Sequence, residues 1–125
     1  MMGRSMSIAR RTIYLLLMAA LVPLKAPAMT EQEKIRALLD RVEASGLVFI
    51  RNGTEYSSRE ARKHLELKLS KAGSAIRTAE QFITHIASGS TWSGAPYYIK
   101  LRDGSVVKSA DWLRKNLAGL ERKRR

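Results

Sequence analysis

The chain has 125 residues, and its 23 Lys and Arg residues against 11 Asp and Glu residues give a net charge of +12. This length is enough for one small domain with a modest core, and the absence of cysteine excludes disulfides and thiolate metal sites. The positive charge favours anionic partners of any kind.

The N-terminal segment predicts a cleavable secretory signal peptide over residues 1–28. Basic residues precede an apolar run over 13–24, and the small-residue sequence Ala26-Pro27-Ala28 follows it. That order is typical of a signal peptide, and a run of about a dozen residues is shorter than the roughly 20 that span a bilayer. An uncleaved anchor is the alternative.

Cleavage after Ala28 would leave a domain over residues 29–120 and a basic tail over residues 121–125. These residues carry a net charge of +8, because the leader contains four of the basic residues and no acidic one. We therefore expect a periplasmic protein with no transmembrane segment after cleavage. Its partner would be an envelope protein or an anionic envelope polymer, and we do not expect nucleic acid.

The first half of the domain predicts helix, hairpin, helix. "TEQEKIRALLDRVEASG" predicts a helix over residues 30–45 with a capping box of Thr30 and Glu33. "LVFIRNGTEYSS" predicts a β-hairpin, because Asn52-Gly53 suits a tight type I′ turn. The next segment predicts a second helix that begins at Ser57 or Ser58 and ends at a glycine.

The second half predicts helix, hairpin, helix again. A third helix begins near Thr78 and ends at Gly89. The alternating "PYYIKL" predicts a half-buried strand, which Asp103-Gly104 turns back into "SVVK". Ser109 is the predicted cap of the last helix, "ADWLRKNLAGL".

The two hairpins share an order of parts. The segments "IRNGTEYSSRE" and "LRDGSVVKSAD" match at a constant offset of 51 positions. The match reflects either a duplication or a coincidence, since turns and helix caps require the same residue types. Two such short hairpins are marginal alone. We therefore predict one small α+β domain, in which both hairpins form a single antiparallel sheet packed with about four helices.

A hydroxyl-rich loop, "HIASGSTWSGAPYY", lies between the third helix and the third strand. A hydrolase nucleophile elbow requires G-x-S-x-G between a strand and a helix, whereas here the order is helix, loop, strand. The segment therefore predicts a helix end, a connector and a strand start. Its candidate hydroxyls belong to Ser88, Ser90 and Ser93.

His64 and Lys68 lie one turn apart on the second helix. A Lys and a His on the same side of a helix can bind an anionic group. The alternative is a solvent-exposed His beside a Lys that packs its alkyl chain on the protein and extends its charge into water. The candidate binding surface consists of the positions His64, Lys68, Ser88, Ser90, Ser93 and Tyr97.

The remaining motifs point to no cofactor. The two histidines are far apart, no carboxylate cluster has ligand spacing, and no phosphate-binding or dinucleotide motif is present, so we predict no metal and no cofactor. Trp92 either stacks on a sugar or a partner surface, or folds back over the sheet.

The chain resembles the DUF5329 family of small exported bacterial proteins. The resemblance rests on "FIRNGTEYSSREARKHLELKL", "IRTAEQFITHIASGSTWSGAPYYI" and "SADWLRKNL". It implies a periplasmic protein of Gram-negative bacteria and brings no activity with it. Positions that match the family pattern include Arg51, Tyr56, His64, Lys68, Ser88, Ser90, Ser93 and Tyr97, whereas Trp92 departs from it.

Three functions agree with these patterns. The first is a non-enzymatic periplasmic module that binds an envelope component or a partner protein where the loop over residues 88–97 meets His64 and Lys68. The alternative is a small serine-type hydrolase, in which a hydroxyl of Ser88, Ser90 or Ser93 acts with His64 or Lys68 as the base. A third possibility is a basic surface that docks on anionic membrane.

Overall fold

The computed structural model describes residues 27–123, in which a four-stranded antiparallel sheet packs against four helices. The predicted α+β class and the single shared sheet are therefore confirmed. The predicted leader over residues 1–28 lies outside the described residues except for its last two positions. In the described part, no helix combines the length and the apolar character that a membrane crossing requires.

Helix α1, Glu31–Ser45, has the predicted capping box. Glu33 donates its backbone N–H to the Thr30 hydroxyl at 3.1 Å, and the Glu33 carboxylate accepts from the Thr30 N–H at 3.3 Å. Gly46 ends the helix in the left-handed region with φ +63°. The buried side chains are those of the predicted apolar stripe: Ile35, Leu38, Leu39 and Val42.

The sheet consists of β1 (Val48–Arg51), β2 (Thr54–Tyr56), β3 (Tyr98–Lys100) and β4 (Val106–Lys108), in the order β2-β1-β3-β4. Asn52 and Gly53 have φ values of 50° and 77°, as the predicted tight turn requires. The register pairs Phe49 with Ile99 across the two central strands. Both of these side chains are buried, so the helices cover the face that they share.

Two 15-residue helices follow the hairpins. Helix α2, Ser58–Ala72, begins with the predicted capping box of Ser57 and Glu60 and is followed by a short 3₁₀ turn, Gly73–Ala75. The last helix, α4, spans Ser109–Lys123, so Ser109 is its first residue and is buried. Three residues of the predicted basic tail therefore continue α4 as helix.

The third helix, α3, differs from its prediction. It begins near Thr78 as predicted, with Thr78 as its N-cap, and consists of Ala79–Gln81 and a π-helix over Phe82–Ala87. A π-helix closes its turns one residue later than an α-helix does. Gly89 does not stop the helix in a left-handed conformation; it lies beyond the helix end in an isolated bridge with Pro96.

Candidate functional site

The inner face of the sheet carries polar side chains where β1 ends and β3 begins. Arg51 lies two residues after Phe49 on the same face, and the register that pairs Ile50 with Tyr98 brings Arg51 beside Tyr97. Helix α2 places two more basic side chains above them. These groups form one cluster, called the cation cluster below, of Arg51, Tyr56, His64, Lys68 and Tyr97.

Arg51 is held by neutral partners. Its Nη1 atom lies 2.9 Å from each ring nitrogen of His64, and its Nη2 atom donates to the Tyr56 hydroxyl at 3.1 Å. The guanidinium also lies over the Tyr56 ring, 5.1 Å from its centroid. A guanidinium has five N–H donors, more than these contacts use. Among residues 27–123, no carboxylate forms a salt bridge with Arg51.

His64 is a neutral imidazole in this arrangement. Because a guanidinium can only donate, the ring nitrogen that bonds to Arg51 must accept. The Nε2 atom lies 3.2 Å from the Tyr97 hydroxyl. Burial lowers the pKa of His64, and the charges of Arg51 and Lys68 lower it further.

Lys68 connects α2 to the end of α3. Its ammonium group donates to the backbone carbonyls of Ile86 at 2.7 Å and Gly89 at 2.9 Å, and to the Tyr97 hydroxyl at 3.2 Å. These three bonds use all the donors of a protonated lysine. Burial lowers the pKa of Lys68, and Arg51 lowers it further. Lys68 thus stabilises the helix end and has no free lone pair to act as a base.

A groove of about 730 Å³, called the basic groove below, opens on one side of the cation cluster. Its lining contains no Asp or Glu and five basic or imidazole side chains, which are those of Arg51, His64, Lys68, Lys71 and His85. Trp92 stands at this groove with 99% of its surface exposed, so it does not fold back over the sheet.

A second cavity of about 460 Å³, called the apolar pocket below, lies on the other side of the cluster between the sheet and α2. Its apolar walls come from Phe49, Tyr56, Ala61, Leu65 and Tyr97. The basic groove and the apolar pocket share three lining residues, Arg51, His64 and Tyr97. The guanidinium therefore lies at the junction of a cationic surface and an apolar one.

The loop over residues 88–97 closes on itself. Tyr97 donates its N–H to the Ser88 carbonyl, and Ser90 donates its N–H to the Ala95 carbonyl, both at 2.9 Å. A side chain at Gly89 would place its Cβ atom 2.8 Å from the Ala95 oxygen, so the close approach of the two loop ends requires glycine there. The closed loop holds Trp92 at its tip.

The hydroxyls of the three predicted serines form hydrogen bonds with residues other than His64 and Lys68. Ser88 donates to the Thr84 carbonyl at 2.6 Å, and Ser93 donates to the Asn52 side chain at 2.9 Å. Ser90 accepts from the Ser93 N–H at 3.3 Å and is the one serine of the three that lines the basic groove. In residues 27–123, neither His64 nor Lys68 bonds to a serine hydroxyl.

The structure thus brings His64, Lys68 and Tyr97 together, places Ser90 in the same groove without a bond to them, and leaves Ser88 and Ser93 outside its lining. It adds Arg51 and Tyr56, which were absent from the predicted binding surface. The alternation of side chains along β1 could have found Arg51, because a buried Phe49 requires residue 51 to face inward as well. The pairing of Phe49 with Tyr56 across the hairpin could have found the tyrosine.

Comparisons with known proteins agree on one family. A family model described as "Family of unknown function (DUF5329)" matches residues 29–121. The "Uncharacterized protein YfeK" of Salmonella typhimurium strain LT2 is 43% identical over 68 residues, which are 54% of this chain and 57% of that protein. No solved structure matches the chain. Neither description names an activity.

Proposed function

The chain belongs to the DUF5329 family of proteins of unknown function, and we propose that it is a non-enzymatic periplasmic module whose basic groove binds an anionic component of the cell envelope. The proposal rests on one observation. Arg51 and Lys68 are both partly buried, and neither has a carboxylate partner among the described residues.

Among residues 27–123, three of the four other partly buried cations, Lys34, Arg62 and Lys100, form salt bridges, and the fourth, Arg41, donates to the Asn116 side chain at 3.0 Å. The Arg62 side chain, 23% exposed, forms salt bridges with Asp40, Glu43 and Glu66. The Lys34 side chain, 18% exposed, forms salt bridges with two glutamates.

Removing a charge from water is costly unless it is compensated. The Lys68 ammonium is compensated by two backbone carbonyls and the Tyr97 hydroxyl. The Arg51 guanidinium has only neutral partners and unused donors, so its charge needs a further compensation. A bound anion would supply it.

The electrostatics of the cluster support this need. The charge of Arg51 lowers the pKa of both His64 and Lys68, so the three groups repel a further proton. An anion in the basic groove would offset the positive charge of the cluster. Its oxygen atoms would accept hydrogen bonds from the unused guanidinium N–H groups, which suit carboxylate and phosphate oxygens. The exposed Trp92 ring adds a surface on which a sugar or a second apolar group can stack.

The hydrolase alternative has no comparable support. A serine nucleophile needs a base within roughly 2.6 to 3.2 Å, and the hydroxyls of Ser88 and Ser93 bond to Thr84 and Asn52 instead. Lys68 is a saturated donor and His64 is committed to Arg51 and Tyr97. Binding therefore remains the function that this geometry favours.

Titration of purified protein with delipidated lipopolysaccharide, a phosphorylated saccharide without acyl chains, tests the proposal by the fluorescence of Trp92. Arg51→Ala should weaken binding by about tenfold or more, since a hydrogen bond to a charged group contributes about 1.5–3 kcal/mol. Arg102→Ala is the matched control, because Arg102 holds the corresponding place in the second hairpin and is exposed. Equal affinities of the wild type and the Arg51→Ala protein would refute the site.

Export is tested separately with an alkaline phosphatase fusion at the C-terminus, which is active only outside the cytoplasm. We expect phosphatase activity from the full chain and none after deletion of residues 13–24. Activity that is absent from the full-length fusion, although the fusion protein accumulates, would contradict the periplasmic location and leave the binding site to be judged by the titration.

A further inference from the structure

We propose that the apolar pocket binds the hydrocarbon chain of an amphiphilic anion whose charged group rests on Arg51. The ligand class is a single unbranched hydrocarbon chain with one terminal carboxylate. This inference rests on the proposed function for its anionic half and adds a second, apolar half on the opposite side of the cation cluster.

The pocket has the composition of a ligand site. Its volume of about 460 Å³ falls within the roughly 300–1,000 Å³ of small-molecule sites, which are lined mostly by apolar and aromatic side chains with a few polar groups. Phe49, Tyr56 and Leu65 line it, and so does the small side chain of Ala61. A volume near the lower end of that range accommodates one chain better than two.

The space exists because α2 carries a small residue where α4 carries large ones. Ala61 lies in the first turns of α2. At the comparable turns α4 carries Trp112 and Leu113, and the Trp112 ring packs edge-on against Phe49 at 6.3 Å. Leu113 is fully buried. The first hairpin is therefore left partly uncovered on the face that Arg51 shares.

The charges around the pocket orient the ligand. Arg51 lines the pocket and lies beside His64 and Tyr97, which line the basic groove as well. The other charged residues of the pocket lining, Glu55, Glu60 and Lys63, are exposed, and Glu55 is paired with Lys100, so Arg51 is the one partly buried charge of the lining. The carboxylate of the ligand would therefore lie at the Arg51 end, where the planar guanidinium can bind it with two parallel hydrogen bonds.

Calorimetric titration with hexanoate, octanoate, decanoate and dodecanoate tests the inference, at concentrations below micelle formation. Affinity should rise about fourfold for each added methylene that the pocket holds, which is the conversion of ~0.8 kcal/mol per buried CH₂. Octanol should bind about tenfold more weakly than octanoate, because it lacks the charge for Arg51. Equal affinities across the series, or for octanol and octanoate, would overturn the inference.

Ala61→Met gives a second, independent test, because its longer side chain fills the pocket. The variant should lose the increase with chain length and keep the binding of delipidated lipopolysaccharide, which also shows that it is folded. Ala118→Met, at an exposed position of α4, is the matched control and should keep the rise of affinity with carboxylate length. If the affinity of the Ala61→Met protein still rose with carboxylate length as in the wild type, the hydrocarbon chain would bind elsewhere and the inference would be overturned.

These outcomes separate the two proposals. If delipidated lipopolysaccharide binds through Arg51 but the carboxylates show no dependence on chain length, the apolar half fails and the proposed function stands. If neither the saccharide nor any carboxylate responds to Arg51→Ala, the proposed function itself fails.

Discussion

The two hairpin–helix units of this protein are built alike and are used differently. The first unit covers residues 48–72 and the second covers residues 98–123; each has a turn that contains a Gly with positive φ and a 15-residue helix. Arg51 precedes the turn of the first unit and lies inside, bonded to His64. Arg102 lies within the turn of the second and is exposed, with one long hydrogen bond to the Ser45 carbonyl at 3.4 Å.

The length of the connection explains the difference. Arg51 is the last residue of β1 and follows the buried Phe49 by two residues, so it shares the inner face. Arg102 lies beyond the end of β3 at Lys100, in the longer connection to β4, where the alternation of the strand no longer applies. The two arginines therefore occupy equivalent sites in the sequence and different environments in the fold.

The helices of the two units also differ in how many large apolar side chains they pack against the sheet. Helix α4 buries Leu113 and Leu117 and packs Trp112 against the sheet, whereas α2 buries Ala61 and Leu65 and carries the polar pair above Arg51. The second unit supplies tight packing and the first supplies a charged, incompletely filled surface. If the proposed function is correct, stability and binding depend largely on different units, and this division can be tested.

The largest effect should come from the packed unit. Leu113→Ala removes a fully buried side chain and should lower the free energy of unfolding by about 2–5 kcal/mol, as the loss of a buried leucine generally does. Leu67→Ala, at a 54% exposed position of α2, should change it by less than about 0.5 kcal/mol. Urea denaturation measures both, and similar values would erase the contrast between the units.

A smaller loss should follow Lys68→Met in the first unit. The change keeps most of the side-chain length and leaves the Ile86 and Gly89 carbonyls without their donor, so the free energy of unfolding should fall by about 1–3 kcal/mol. Backbone amides of the loop over residues 88–97 should exchange faster in this variant. Lys115→Met, at an exposed position of α4, is the control. A Lys68→Met protein as stable as the control would show that the ammonium does not hold the loop.

Two glycines distinguish the tight loop from the last helix. Gly89→Ala should destabilise the protein by about 1–3 kcal/mol, because the new Cβ atom would meet the Ala95 oxygen at 2.8 Å. Gly119→Ala should stabilise it by about 0.4–1 kcal/mol, because the helix interior of α4 has room and alanine lowers the conformational entropy of the unfolded chain. Thermal unfolding of both variants compares the signs, and the same sign for both would contradict this account.

The smallest expected effect is a shift in the pKa of His64. The pKa of His64 should lie below its ordinary value near 6.5, and Arg51→Gln should raise it by removing a nearby positive charge, whereas Arg102→Gln should not change it. An NMR pH titration, with the His64 signal assigned from its loss in His64→Gln, measures all three proteins. An unchanged value in Arg51→Gln would show that the two side chains do not interact.

The same shift predicts a pH dependence of stability. A histidine with a lowered pKa in the folded state binds fewer protons there than in the unfolded chain, so the free energy of unfolding should decrease as pH falls from about 6.5 toward the folded pKa. Above that window both states are neutral and the residue has no effect. His64→Gln should lack this component, and an identical pH profile for the variant would contradict the sign.

Local chemistry made most of the fold predictable from the sequence. The capping boxes that begin α1, α2 and α3 and the Asn52-Gly53 turn depend on residues within a few positions of one another, and each occurs where its pattern predicts it. The joining of the hairpins also followed, because each is too short to be stable alone. The π-helix was missed, since its apolar spacing resembles that of an α-helix.

The site was predictable only in part, because it depends on which groups satisfy one another across the fold. His64, Lys68 and Tyr97 were among the predicted residues and do come together, although Lys68 is a structural donor as well as a charge. The serines were predicted as site residues because their hydroxyls are close together in the sequence, yet two of them bond to Thr84 and Asn52. The central Arg51 was left out of the predicted surface, although the alternation of side chains along β1 places it on the same face as the buried Phe49.

The π-helix over Phe82–Ala87 makes the basic groove sensitive to chain length. A π-turn holds one residue more than an α-turn, so deleting one residue would let the segment close as an α-helix and leave the following residues in about the same direction. Inserting a further residue would instead rotate every following residue by about 100° around the helix axis. The Ile86 carbonyl would then turn away from Lys68, and Trp92 would leave the groove. Homologous chains that share the groove should therefore tolerate the deletion of one residue in this segment better than an insertion.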